Sequence, residues 1–320
     1  MIINRYYIFI LLLLILSCIQ SSKIEEDISK IKVDITLERF DLALKNSTPD
    51  DLGALRHKFP FLFSNQMHDS IYVKRMKDSL QNELLIEVEK TFPDFDDETL
   101  KIEQLFKHIK YYNPLFKIPR VVTLTNDVDY RNKTLVTDSL TLISLDCFLG
   151  KEHRFYQNLP RYISANLSAE QIIPDLAEQY AWKFIHQYQR RTFLEDMIFF
   201  GKLLYFKDLM IPFESNATKI GYTEEQLAWS QANEAQIWSY FIEKELLFSP
   251  DPRLANRFLA NAPFSKFYKE IDNESPGRIG QFIGWQIVKS YVENNDTPPM
   301  DVLKLDAQTL FQKSFYKPKK

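Results

Sequence analysis

Glycine is scarce in this chain, seven residues in 320. That scarcity argues against phosphate-cradling loops and against a fold built from many tight hairpins. Only two cysteines are present, Cys18 and Cys147, too few for a disulfide framework. Neither sign of charge dominates, with 40 basic and 43 acidic residues and no long block of either. A nucleic-acid partner needs a basic face with stacking aromatics, so none is expected. Beyond residue 17 no apolar run approaches the roughly 20 residues of a bilayer span. The longest candidates, Met197 to Phe200 and Leu203 to Phe206, are interrupted by Gly201 and Lys202 and suit a buried helix. His57, His68, His108, His153 and His186 are scattered without metal-ligand spacing, which favours solvated or capping roles. No Gly-x-Ser-x-Gly nucleophile motif occurs.

The start of the chain is informative. Arg5, an apolar run over 6–16 and the small Ser17 stand before Cys18. A basic start, a short apolar stretch and a small-residue boundary describe an export signal. Ile15-Leu16-Ser17-Cys18 resembles the lipobox cut by the lipoprotein signal peptidase, which leaves a lipid-modified cysteine as the new N-terminus. An uncleaved anchor and an ordinary signal peptide are the alternatives. The expected organisation is a signal peptide over 1–17, a polar tether over 18–27 and one globular domain over 28–320. With Cys18 acylated, Cys147 has no disulfide partner, and its apolar neighbours predict a buried, inert thiol.

Residues 32–40 alternate Val33, Ile35 and Leu37 with polar partners, the pattern of a half-buried strand. Helices are expected over 49–110, with turns at Pro60 and at Thr91-Phe92-Pro93-Asp94. Asp94, Asp96, Asp97 and Glu98 lack the glycine and terminal glutamate of a calcium loop and read as an acidic helix start. Strands are expected over 121–125 and 141–145, and helix after about Ser168. Capping spacings occur at Ser168 with Gln171, Thr192 with Glu195 and Thr223 with Gln226. Pro174 implies a bent first turn or a restart after Ser168. The Thr223 helix is expected to run on through Trp229, Trp238 and Leu246, and Ser275 to cap a last helix with Pro276 at its first position. The fold class is therefore α+β, mainly α-helical, with a small sheet in the N-terminal half followed by a helical bundle.

That last helix holds three of the seven glycines, Gly277, Gly280 and Gly284. Helical glycine costs up to about 1 kcal/mol relative to alanine, so close packing of a neighbouring backbone is the expected reason. The helix carrying Ala177 and Ala181 is the expected neighbour, and Arg278 is placed to point into a cleft.

Several segments together resemble the gliding-motility lipoprotein family GldB. They are the lipobox start, Arg39-Phe40-Asp41, Gly201-Lys202-Leu203-Leu204-Tyr205-Phe206, Pro276-Gly277-Arg278-Ile279-Gly280 with Gly284-Trp285-Gln286-Ile287-Val288, and Ser314-Phe315-Tyr316-Lys317-Pro318. The resemblance covers essentially the whole chain. It implies a lipid-anchored, periplasm-facing envelope protein that works with other proteins of the gliding machinery and the associated secretion system. That family looks distantly similar to gluzincin-type zinc peptidases, in which His-Glu-x-x-His on one helix and a glutamate on the next hold the metal. On this likeness the corresponding stretch is Ala177-Glu178-Gln179-Tyr180-Ala181, and the third ligand position falls on Phe200. All three ligands would then be lost, with Glu178 and Arg278 left as vestiges on a degenerate, zincin-like scaffold. The resemblance thus implies binding and assembly with no metal and no small-molecule cofactor. Two other readings stay open at this point: a working metal-dependent hydrolase that uses Glu178 and Arg278, and a membrane-tethered spacer without a cleft.

Overall fold

The computed structural model describes residues 23–186, 188–268, 272 and 274–319. Strand β1 (Leu37–Arg39) leads into helix α1 (Phe40–Lys45). Helices α2 (Leu52–Lys58), α3 (Asp69–Met76), α4 (Ser79–Thr91) and α5 (Asp96–Tyr112) follow before β2 (Arg120–Leu124). A hairpin of β3 (Thr134–Val136) and β4 (Leu140–Ser144) comes next. The remainder is helical: α6 (Arg161–Ser164), α7 (Ile172–Phe184), α8 (Phe193–Met210), α9 (Asn216–Ile220), α10 (Glu224–Ala232), α11 (Glu234–Glu243), α12 (Arg253–Phe258), α13 (Ile279–Asn294), α14 (Pro299–Val302) and α15 (Ala307–Ser314). This is the expected mainly helical α+β architecture. No helix among the described residues is long and apolar enough to cross a membrane.

The sheet has the order β1-β2-β4-β3, with β1, β2 and β4 parallel and β3 antiparallel to β4. Side chains on a strand alternate between faces, and the two faces serve two cores. Val121 and Ile143 point into the main core, while Val122, with Leu124 and Leu142 packed beside it, meets Phe40, Phe59 and Phe63 in a smaller one. Arg39-Phe40-Asp41 is a structural lock between them. Arg39 Nη2 lies 2.7 Å from Asp41 Oδ2 and 3.0 Å from the Phe92 carbonyl, and the buried Asp41 accepts from Thr123 Oγ1.

Helix α8 is the axis of the main core, apolar on nearly every face and opened by the Thr192–Glu195 capping box. Helix α13 runs against it at backbone contact. A Cβ on Gly284 would sit 1.8 Å from the Met197 carbonyl oxygen, and one on Gly201 would sit 2.3 Å from the Gly284 carbonyl oxygen. The expected neighbour, the helix of Ala177 and Ala181, is therefore corrected to α8, with Gly201 reciprocating. Both alanines are buried in the main core.

Three local expectations differ. The first strand keeps only three residues, because β2 begins at Arg120, just after Pro119; the Thr36 carbonyl still accepts from the Val121 N–H at 3.0 Å, and Val33 and Ile35 pack on the core ahead of the ladder. The long helix after Thr223 breaks at Asn233, whose side chain donates back to the Trp229 carbonyl. Ser275 does not cap α13; its hydroxyl donates to the Ser265 and Asp272 carbonyls, and Arg278, with φ 61°, opens the helix instead. Strand β3, three residues long, is an addition to the expected strands. By contrast Pro174 falls in the first turn of α7, after a 3₁₀ turn over Ala169–Gln171, where its missing N–H costs nothing.

Candidate functional site

A cleft of about 450 Å³ opens between α7, α8, α9 and the start of α13. Asp175, Glu178 and Gln179 face it from one side of α7, and Phe200, Leu203, Leu204 and Lys207 from α8. Lys219, Ile220 and Gly221 line it from α9 and the turn after it, and Arg278 and Gln281 from the start of α13. The loop before β3 contributes Tyr130, Arg131 and Lys133.

The polar groups are paired. Lys207 Nζ, on a buried residue, lies 2.7 Å from Glu178 Oε2 and donates to the Lys219 carbonyl at 3.0 Å. Lys133 pairs with Asp175. Lys219 Nζ lies 3.2 Å from Asp208 Oδ1, and Asp208 also accepts from the indole of Trp285 at 2.7 Å. Burial works to raise the Glu178 carboxyl, yet the charge and hydrogen bond of Lys207, with Arg278 and Lys133 behind, hold it below the usual carboxylate range. Asp175 goes the other way: burial pushes it up against the pull of Lys133, and Glu178 adds to the rise. Arg278 Nη2 donates to the Gly221 carbonyl at 2.6 Å, and its guanidinium lies 5.6 Å from the centre of the Tyr222 ring.

Of the residues singled out from sequence, Glu178, Phe200 and Arg278 meet in this cleft, whereas Ala177 and Ala181 are buried in the core and are not part of its lining. Among the described residues no three His, Cys, Asp or Glu side chains gather to hold a metal. His186 is exposed, and His68 and His153 accept from backbone N–H groups at helix starts, the capping role foreseen for some of the histidines. Cys147 is buried, with its thiol pushed well above the usual range by burial. Cys18 and residues 1–17 lie outside the described residues. Sequence reasoning missed Lys133, Asp175, Lys207 and Lys219. The available signal was Lys207 itself, a lysine in the middle of a mostly apolar helix, since lysine is almost never buried unless paired.

The sequence pattern of the family described as gliding motility protein GldB matches residues 21–318. The chain belongs to the GldB family. Its cleft, from Tyr130 to Gln281, lies wholly within the GldB match, and Cys18 lies just ahead of it. Comparison of this GldB family member with curated proteins and with solved structures gives no match.

Proposed function

We propose that this GldB family member is a lipid-anchored protein of the cell envelope, a single domain over 28–320 that works by binding and assembly in the gliding machinery and its associated secretion system. A peptidase-like scaffold that has lost its metal ligands at Ala177, Ala181 and Phe200 is part of this reading, with Glu178 and Arg278 left in the cleft. The observation that carries it is the Glu178–Lys207 ion pair, 2.7 Å across. A general base works best with a pKa near the operating pH, and Glu178 is held below even the ordinary carboxylate range. Its oxygen is engaged in fixing a buried lysine, a structural employment.

Two experiments test the proposal. Glu178→Gln keeps an acceptor for Lys207 and is expected to leave gliding intact, whereas Arg278→Glu, which reverses the charge at the mouth of α13, is expected to abolish it. Loss of gliding in a folded Glu178→Gln protein turns the reading toward a hydrolase. At the other end of the chain, the Cys18 thiol must accept the diacylglyceryl group. Cys18→Ala is therefore expected to abolish fatty-acid labelling and to release or misprocess the protein, and unchanged labelling would end the lipoprotein assignment.

A further inference from the structure

We infer that the cleft takes the carboxylate end of a peptide, with Arg278 as the residue that receives it. The inference deepens the binding role proposed above and rests on that role. Charge accounting inside the cleft singles out Arg278. Each lysine that lines it already has a carboxylate: Lys133 has Asp175, Lys207 has Glu178 and Lys219 has Asp208. Arg278 has no carboxylate within ion-pair distance among the described residues, and the other unpaired cation, Arg131, is exposed at the rim.

The backbone is bent to place this one side chain. Arg278 adopts φ 61°, a left-handed conformation that a residue with a side chain rarely takes, and Gly221 opposite it has φ 69°. Such strain persists where the surroundings enforce it and clusters at binding sites. A Cβ on Gly221 would lie 3.0 Å from Nη2 and 3.1 Å from Nη1 of Arg278, so glycine also makes the room. The bond to the Gly221 carbonyl and the Tyr222 ring fix the guanidinium plane, while Nε and Nη1 have no acceptor among the described residues. A planar fork with free donors is suited to a carboxylate. One uncompensated cation matches a monoanion better than a phosphate dianion.

The remaining walls specify what the carboxylate is attached to. The amide side chains of Asn166 and Gln179 line the cleft and make no hydrogen bonds among the described residues, which leaves donors and acceptors for a peptide backbone. Phe200, Leu203 and Ile220 supply apolar wall for one or two side chains. The volume, about 450 Å³, suits a few residues.

The test uses the intact lipidated protein in detergent. Three probes are compared by native mass spectrometry: a random pool of acetylated tripeptides with free C-terminal carboxylates, the same pool amidated, and phenyl phosphate. The free acids are expected to bind at least tenfold more tightly than the amides, and Arg278→Gln to erase the difference. Equal binding of acids and amides, binding of neither, or a preference for phenyl phosphate overturns the inference. The acid-against-amide comparison needs no variant, so it decides even if Arg278→Gln fails to fold. Should the acids fail while Arg278→Glu still abolishes gliding, the carboxylate assignment falls and the assembly role stands. Should the acids bind while Arg278→Glu cells glide normally, the carboxylate assignment stands and the assembly role of this cleft falls.

Discussion

Gly284→Leu is expected to prevent stable folding of the helical half of the protein. The added Cβ alone would meet the backbone of Met197 at 1.8 Å, and a carbonyl on a helix axis has no rotamer by which to retreat. Overpacking of a core by a few atoms costs about 1–3 kcal/mol where neighbours can adjust, and two helix backbones adjust poorly, so about 3 kcal/mol or more is expected. Gly201→Ala should show a comparable loss, because its Cβ would meet the Gly284 carbonyl from the other side. Thermal melting followed by circular dichroism, with protein level in cells, checks both. Glu293→Ala, exposed near the end of the same helix, is the control. Lys289 cannot serve, since its amine lies 3.6 Å from the Trp285 ring centre and 3.6 Å from Asp208 Oδ2. A Gly284→Leu protein that melts like its parent would refute the close approach of α8 and α13.

Asp146→Ala is expected to loosen the cleft wall as well as the fold. Asp146 is fully buried, and its carboxylate accepts from the backbone N–H groups of Asn126, at 3.1 Å, and Val128, at 2.7 Å. Those bonds hold Asp127 and Val128 at φ 62° and 59°, a costly conformation for a β-branched residue. Two donors left without an acceptor cost about 2 kcal/mol or more in total. The same loop carries Tyr130 and Arg131 into the cleft, so ligand retention should fall with stability. Burial pushes the Asp146 carboxyl up to about 6, against the pull of the Val128 and Asn126 bonds, from 3.8 when unfolded. A folded pKa above the unfolded one gives a share of stability that is full below 3.8 and lost as pH rises through about 6. Asp146→Asn has no such titration. The melting temperature of the parent relative to that variant should therefore be higher at pH 5 than at pH 8, and a constant gap would show that Asp146 does not titrate with folding.

What the sequence made legible was local. The Thr192–Glu195 box announces α8 because capping is decided within one turn, and Pro276-Gly277-Arg278 announces a special backbone because glycine and proline restrict their own dihedrals. Gly280 and Gly284 signalled close approach, but the partner was misassigned. Small residues at 177 and 181 look as accommodating as glycine at 201, and only the three-dimensional path of the chain tells them apart. The pairing of Leu37 with Val121 was illegible for the same reason, since parallel register is fixed by distant residues. In the cleft, Arg278 was found through its place at the start of a glycine-rich helix and Glu178 through family likeness, whereas the lysines were not found. Their meaning lies in which carboxylate each one faces, and that is a property of the assembled walls.

The sheet order also determines how this protein behaves beside copies of itself. Its outer strands, β1 and β3, are three residues each, and the longer β2 and β4 are enclosed between them. An outer strand with free N–H and C=O groups invites pairing with another chain, and the invitation weakens with shortness and charge. β1 is Leu37-Glu38-Arg39, two charges in three residues, with Glu38 tied to Arg120 at 2.8 Å and Arg39 to Asp41. β3 ends at Val136, where the chain turns back within three residues to start β4. Neither flank offers a template long enough to extend, so copies crowded together would meet through side chains and would not grow into shared sheets.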